Sequence, residues 1–301
     1  MKKYVVIDIG GTMIKYGIVD QNGSLIRKNK IPTEAELGGP GILSKVIKII
    51  DEYQDKYLLS GICLSSAGMV DSEKGEIFYS GPSIPNYAGT EYKKILEKRY
   101  SIPCEIENDV NCAGMAEVIS GSAKGSRSTL CLTIGTGIGG CFLIDSEVFH
   151  GYSNSACEIG YLPMGQASFQ ELASTTTLVK NVAKAHGDNS IEWDGYRIFE
   201  EAKAGNQKCI DAIDQMSDYL GQGIATICYV INPQTVVLGG GIMVQEVFLK
   251  NRIERALYKY LLPTIAEKIN LTFAHHGNDA GMLGAFYHFM NRQRSLKECR
   301  R

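Results

Sequence analysis

A chain of 301 residues with 44% hydrophobic and 21% charged side chains can bury a large interior, which excludes a disordered polymer. Its 31 basic and 33 acidic side chains leave a net charge of −2, so nothing in the balance suits nucleic acid or an acidic membrane surface as a partner. The nine cysteines stand singly, mostly in apolar runs and with no Cys-x-x-Cys, and no apolar stretch is long enough to span a membrane. They read as reduced core residues of a cytoplasmic protein, without disulfides or a zinc site.

In chain order, "YVVIDI", "MIKYGIVD" and "LIRKNKI" are strand-like runs separated by Gly10-Gly11 and by Asn22-Gly23, which predicts an antiparallel meander. "GILSKVIKIIDEYQ" then carries Ile42, Val46, Ile49 and Ile50 on one helical face. "LLSGICLSS" returns as a buried strand, "TEYKKILEKRY" as a helix, "CEIEND" as a strand and "VNCAGMAEVISG" as a helix of small residues, an alternating α/β pattern. Later, "TICYVINPQTVVLGGGI" reads as helix, turn, buried strand and glycine turn with a helix after it. "LTFAHHGNDAGMLGAFYHFMN" repeats strand, loop and helix, and "RQRSLKECRR" ends the chain as a solvated tail.

A shift of 125 positions lays residues 5–20, "VVIDIGGTMIKYGIVD", over residues 130–145, "LCLTIGTGIGGCFLID", so that Gly10 meets Gly135 and Asp20 meets Asp145. Two related halves follow, and ligands commonly lie between such halves. Each glycine turn alone is a plain hairpin or a nest of N–H groups for phosphate; their repetition favours the nest. "GTGIGG" satisfies the dinucleotide fingerprint in letters only, because "CFLID" continues as a strand where a helix is required.

Three carboxylates stand where chemistry could use them. Asp8, at a strand end before the first turn, is either a turn cap or a water-mediated holder of Mg²⁺ against phosphates. Asp109, between a strand and a helix, is either an N-cap or a general base, with Asn108 and Asn111 beside it able to bond sugar hydroxyls. Glu158 in "ACEIGY" is either a surface residue or an acceptor for two adjacent hydroxyls of a polyol.

In order along nearly the whole chain, "DIGGT", "IENDVNCA", "LTIGTGIGG", "CEIGY" and "NPQTVVLGGGI" resemble the motifs of the ROK family of sugar kinases and their repressor relatives. The resemblance implies an α/β fold of the two-lobed, actin-like ATPase kind (hexokinase-type, ribonuclease H-like), with lobes 1–115, completed by 284–301, and 116–283. It implies ATP with Mg²⁺ in the cleft, γ-phosphate transfer to a sugar hydroxyl, usually O6, and a homodimer. By position, Asp8 falls at the metal and phosphate site, Gly10, Gly11 and Thr12 at the first phosphate turn, and Thr133, Gly135, Thr136 and Gly137 at the second. Gly239, Gly240 and Gly241 fall at the adenosine side, Asp109 at the catalytic base, and Asn108 and Glu158 at sugar contacts.

Four departures from the family's pattern accompany this. The His of its Glu-x-Gly-His motif is Tyr161, and the segment that elsewhere carries a cysteine cluster, "LPMGQASFQELASTTTLV", has none, so no structural zinc is expected. A further sugar-binding Glu falls on Gln170 or Glu171, and a sugar-loop Asn on Ser83 or Asn86. These departures resemble the zinc-lacking branch with β-glucoside kinases and N-acetylmannosamine kinase-like proteins. Two other functions share the scaffold, a transcriptional regulator and a noncatalytic sugar sensor. Asp8 follows Met1 too closely for the regulators' helix-turn-helix, and a sensor would be expected to lose Asp109 or a turn glycine.

Overall fold

A computed structural model describes residues 2–81, 84–187 and 192–298. The chain divides into two compact units: Met1–Ile119 with His150–Ala156 and Asn278–Arg301, and Ser120–Phe149 with Cys157–Gly277.

The first unit opens with β1 (Lys3–Ile9), β2 (Met13–Asp20) and β3 (Leu25–Pro32), then α1 (Gly38–Gln54) and β4 (Leu59–Ser66). A small hairpin, β5 (Met69–Asp71) and β6 (Glu76–Tyr79), precedes α2 (Tyr92–Tyr100), β7 (Cys104–Asn108) and α3 (Asp109–Ser120). In the second unit come β8 (Ser128–Ile134), β9 (Ile138–Ile144), β10 (Glu147–Val148), β11 (Pro163–Met164) and β12 (Ala167–Ser168). They are followed by α4 (Phe169–Ala173), α5 (Thr175–His186), α6 (Gly195–Lys203), α7 (Gln207–Ile231), β13 (Thr235–Gly239), α8 (Glu246–Tyr260), α9 (Pro263–Ala266) and β14 (Asn270–Phe273). The chain then returns to the first unit as α10 (Ala280–Glu298).

The two large sheets have one topology. The first runs β3-β2-β1-β4-β7 and the second β10-β9-β8-β13-β14, each an antiparallel hairpin joined to parallel strands. The predicted repeat is therefore a repeated sheet. Its alignment needs one correction. In the first hairpin the innermost pair is Ile9↔Ile14 and in the second Ile134↔Ile138, so the second turn is one residue shorter. A shift of 125 holds from β1 to β8 but falls to 124 on the return strand, where Asp20 corresponds to Ile144 and not to Asp145. Since side chains alternate faces along a strand, that single residue decides which of them point inward.

Burial follows the sequence pattern. Ile42, Val46, Ile49 and Ile50 of α1 lie in the first unit's core with β1, β2 and β4. The second unit packs β8 and β13 against α5, α6 and the long α7. After the glycines at 135–140 the chain continues as β9, the strand that the dinucleotide fingerprint does not allow. Among the described residues no helix is long and apolar enough to cross a membrane.

Candidate active site

β1 delivers Asp8 to the end of the first sheet, where its carboxylate is buried. Ser65 on neighbouring β4 donates its hydroxyl to Asp8 Oδ1 at 2.7 Å, and Lys15 Nζ stands 3.5 Å from Oδ2. Burial raises the Asp8 pKa, and Ser65 and Lys15 pull it partly back. Helix α10 reaches this carboxylate only because residue 281 is glycine: a Cβ there would lie 2.5 Å from Asp8 Oδ1. One hard-oxygen carboxylate suits Mg²⁺, which keeps most of its water and takes one or two carboxylates together with substrate phosphates. Among the described residues no three His, Cys, Asp or Glu side chains gather as a metal group.

The first turn closes with Gly10 N–H donating to Met13 O at 3.1 Å, and Thr33 ties it down through its hydroxyl to Gly10 O at 2.6 Å and its N–H to Thr12 O at 2.9 Å. Gly11 and Thr12 are exposed at its tip. In the second unit Gly135 N–H donates to Gly137 O at 2.9 Å, and Thr136 is the exposed residue of that turn. Thr133 corresponds to Asp8 by the repeat and is half-buried, so the second copy offers a hydroxyl where the first offers a carboxylate.

Asp109 begins α3 immediately after β7. Its Oδ1 accepts from Val110 N–H at 2.9 Å and from Asn108 Nδ2 at 3.0 Å, while Oδ2 accepts from no other residue among the described ones. Burial and the charge of Asp8 push its pKa up to about 7. Asn108 makes every bond its amide allows. Its Oδ1 takes Val110 N–H (2.9 Å) and Asn111 N–H (3.1 Å), and its NH₂ serves Gly68 O (2.9 Å) and Asp109 Oδ1. The N-cap role open to Asp109 thus belongs largely to Asn108, and any sugar contact by Asn108 would replace one of these bonds. Asn86, exposed at φ 51°, accepts Gly39 N–H on its carbonyl at 3.2 Å. Its neighbour Tyr87 is buried, with its hydroxyl 2.7 Å from Ser66 Oγ and 3.2 Å from Tyr92 OH. Ser83, the other candidate for the sugar loop, lies outside the described residues.

Within the second unit a cavity of about 680 Å³ is lined by the Gly135–Thr136 turn, Thr175, Trp193, Tyr196, Gly241 and Gln245. Trp193 is held between His186, whose ring centroid is 4.5 Å away, and the Arg197 guanidinium at 5.1 Å. Trp193 Nε1 and Thr175 Oγ1 are buried without a protein partner among the described residues, polar atoms of a kind that an occupant can satisfy. Of the glycines read at the adenosine side, Gly241 lines this cavity. Gly240 has φ 109° and packs against Ile134, where a Cβ would come within 2.1 Å of its carbonyl oxygen.

Glu158 precedes a single 3-10 turn, Ile159–Tyr161; its backbone carbonyl accepts Tyr161 N–H at 3.2 Å, while its carboxylate has neither a hydrogen bond nor an ion pair among the described residues. Partial burial raises its pKa. Tyr161 is 59% exposed. The neighbours Gln170 and Glu171 separate cleanly. Glu171 Oε2 takes Ser168 N–H at 2.8 Å and the Ser168 hydroxyl at 2.6 Å, closing a capping box on α4. Gln170 Oε1 fills the space beside two glycines: a Cβ at Gly137 would stand 2.6 Å from it, and one at Gly160, 2.9 Å.

The sequence pattern of the ROK family matches residues 4–292. The chain belongs to the ROK family. An uncharacterised protein of Clostridium perfringens is 47% identical over 96% of this chain and 98% of its own length. A β-glucoside kinase of Klebsiella pneumoniae is 30% identical over 97% of this chain and 98% of its own. The structure of a ROK family protein from Streptococcus pneumoniae in complex with sucrose, 29% identical, superposes with a TM-score of 0.85 over 97% of this chain and 99% of that one. The two sheets of this ROK chain are accordingly those of the actin-like ATPase fold.

Sequence reasoning missed several residues of this ROK site. Ser65 and Lys15 hold Asp8, and Lys15 had a readable signal, since counting outward from the turn pairs it with Asp8. Thr175, Trp193 and Tyr196 had none, because they meet only through the packing of α5 and α6.

Proposed function

We infer that this carbohydrate kinase passes the γ-phosphate of ATP to a sugar hydroxyl, O6 of a hexose or of a β-glucoside. The observation that carries the reading is the state of Asp109: one oxygen pinned by Val110 and Asn108, the other open, and a pKa near 7. A base poised close to the operating pH removes a proton most effectively.

In this reading the acceptor hydroxyl gives its proton to Asp109 Oδ2 as its oxygen bonds to the γ-phosphorus, and the bond from phosphorus to the β,γ-bridging oxygen breaks to release ADP. Glu158, whose carboxylate has no protein partner among the described residues, accepts from sugar hydroxyls. The exposed first turn at Gly11 and Thr12 and the exposed second turn at Thr136 each offer backbone N–H groups to phosphate, and the nucleoside occupies the cavity lined by Trp193. Asp8 is the residue that would hold a Mg²⁺ ion bound with the nucleotide, and such an ion would supply further neutralisation of phosphate charge. For the acceptor, the exposed Tyr161 ring beside Glu158 suits stacking on a second ring, and both the Klebsiella relative's β-glucoside name and the sucrose of the Streptococcus structure favour an acceptor larger than one hexose.

The test is ADP release with Mg·ATP against glucose, mannose, N-acetylmannosamine, fructose and cellobiose, with Asp109→Asn as the blank. Turnover that vanishes in the blank and is fastest on cellobiose supports the reading. Undiminished turnover by Asp109→Asn removes Asp109 from the base role. Silence on every sugar, with calorimetric sugar binding intact, makes the chain a sensor.

A further inference from the structure

The penultimate residue of strand β7 is Glu107, whose carboxylate has no exposure to solvent although it lies two residues before the base. Its four partners among the described residues divide into two pairs. Oε1 faces the corner into α3: it accepts Asn108 N–H at 2.8 Å and Asn111 Nδ2 at 3.0 Å, the residues on either side of Asp109. Oε2 faces the other way, toward two histidines: His150 Nε2 donates to it at 2.7 Å, and His288 Nδ1 lies 3.5 Å from it.

We propose that His150 is a positioning residue for Asp109: it holds Glu107, and Glu107 sets the β7–α3 corner through Asn108 and Asn111. The proposal rests on Asp109 being the base. His150 belongs to the short segment His150–Ala156, which packs with the first unit while the chain on both sides of it belongs to the second. A residue far away in sequence therefore fixes the corner, and nothing in "EIENDVN" announces it.

The two histidines are not equivalent. His288 is fully buried, its Nε2 lacks a partner among the described residues, and burial lowers its pKa, so it faces Glu107 as neutral imidazole. His150 is partly open to water; desolvation lowers its pKa, but the hydrogen bond to Glu107 and the charge of Glu107 together more than offset it, so its pKa is raised. Glu73 adds to that rise and Arg292 opposes it. The remaining groups facing the cluster are Glu105, held by Lys93 and Gln293, and the thiol of Cys112. Of the two histidines, His150 is thus the one whose surroundings favour the charged form that pairs with Glu107. Neutral His150 can still donate from Nε2, so raising the pH weakens the bond without abolishing it; a charge-assisted bond is roughly twice as strong as a neutral one.

The experiment measures kcat and both KM values for wild type, His150→Ala and His150→Gln from pH 6 to 9, with the wild-type His150 pKa read by NMR without substrate. His150→Ala should lower kcat about ten- to a hundredfold, the scale expected when a reacting group is misplaced, with both KM values little changed. His150→Gln, whose amide reaches the Nε2 position, should restore most of kcat. It should also remove the partial alkaline decline of the wild type. A normal or lowered His150 pKa overturns the proposal whatever the chemistry of the site, as does full kcat in His150→Ala. A kcat loss that Gln does not rescue, accompanied by a fall in Tm, makes the role structural only. Turnover retained by Asp109→Asn instead strikes the base assignment and leaves the NMR result standing.

Discussion

Asp8 and Lys15 stand directly opposite each other across the β1–β2 hairpin, with Lys15 Nζ 3.5 Å from Asp8 Oδ2. Together with Ser65, this cation offsets the burial that raises the Asp8 pKa. Lys15→Met should let that pKa climb further, so more of the protein carries a protonated Asp8 on the acid side of neutrality. The expected outcome is a loss of kcat/KM for Mg·ATP that is larger at pH 6 than at pH 8. Equal losses at both pH values would move Lys15 from tuning Asp8 to contacting phosphate itself.

Gly281 tests the same carboxylate from the side of α10. Gly281→Ala brings a methyl carbon to within 2.5 Å of Asp8 Oδ1, so the helix or the carboxylate must shift. Overpacking of this kind costs about 1–3 kcal/mol. Urea unfolding should show that loss, and kcat should fall about a hundredfold, the penalty for a displacement near 1 Å. Wild-type kcat with lowered stability would mean that the helix yields and Asp8 stays.

Asp109 should leave a mark on both activity and stability. With a pKa near 7 in the folded protein, kcat should fall about tenfold per pH unit on the acid side of that value, as the base becomes protonated. For stability the sign is the reverse of a salt-bridged carboxylate. The folded state binds this proton more tightly than the unfolded chain, so between pH 4 and 7 stability falls as pH rises. Asp109→Asn should therefore gain stability over wild type at pH 8 and not at pH 4 in urea titrations. A difference independent of pH would show that Asp109 titrates normally.

The sequence made the repeated hairpins, the α1 face and the strand–helix corner at Asp109 legible, because each is a local pattern of apolar period and turn chemistry. The strands β5, β10, β11 and β12 have two or three residues each, too few to show any period. Asn108 was readable as a residue beside the base, but residue type does not reveal that all four of its bonds are made inside the protein. The Asp20 match failed for want of one turn residue, which only strand register discloses.

Gln170 and Glu171 give the sharpest contrast between neighbours. Family spacing could not choose between them, yet their surroundings differ in kind. Glu171 is exposed, and its carboxylate is used by Ser168 in the α4 capping box, which lowers its pKa. Glu171→Ala should loosen α4 and lower Tm slightly while leaving the KM values for ATP and sugar alone. Gln170 packs against Gly137 of the second glycine turn, proposed above to receive phosphate, and against Gly160 of the Glu158 loop, two glycines that leave room for its amide. Gln170→Ala removes the group that spaces these two segments, and both KM values should rise together. Gln170→Glu keeps the shape but sets a negative charge beside a turn that receives phosphate, so the KM for ATP should rise far more than that for sugar, and added salt should narrow the gap by screening. If Gln170→Glu instead lowers the KM for sugar and spares ATP, the side chain contacts the acceptor, and the spacing role passes to the glycines alone.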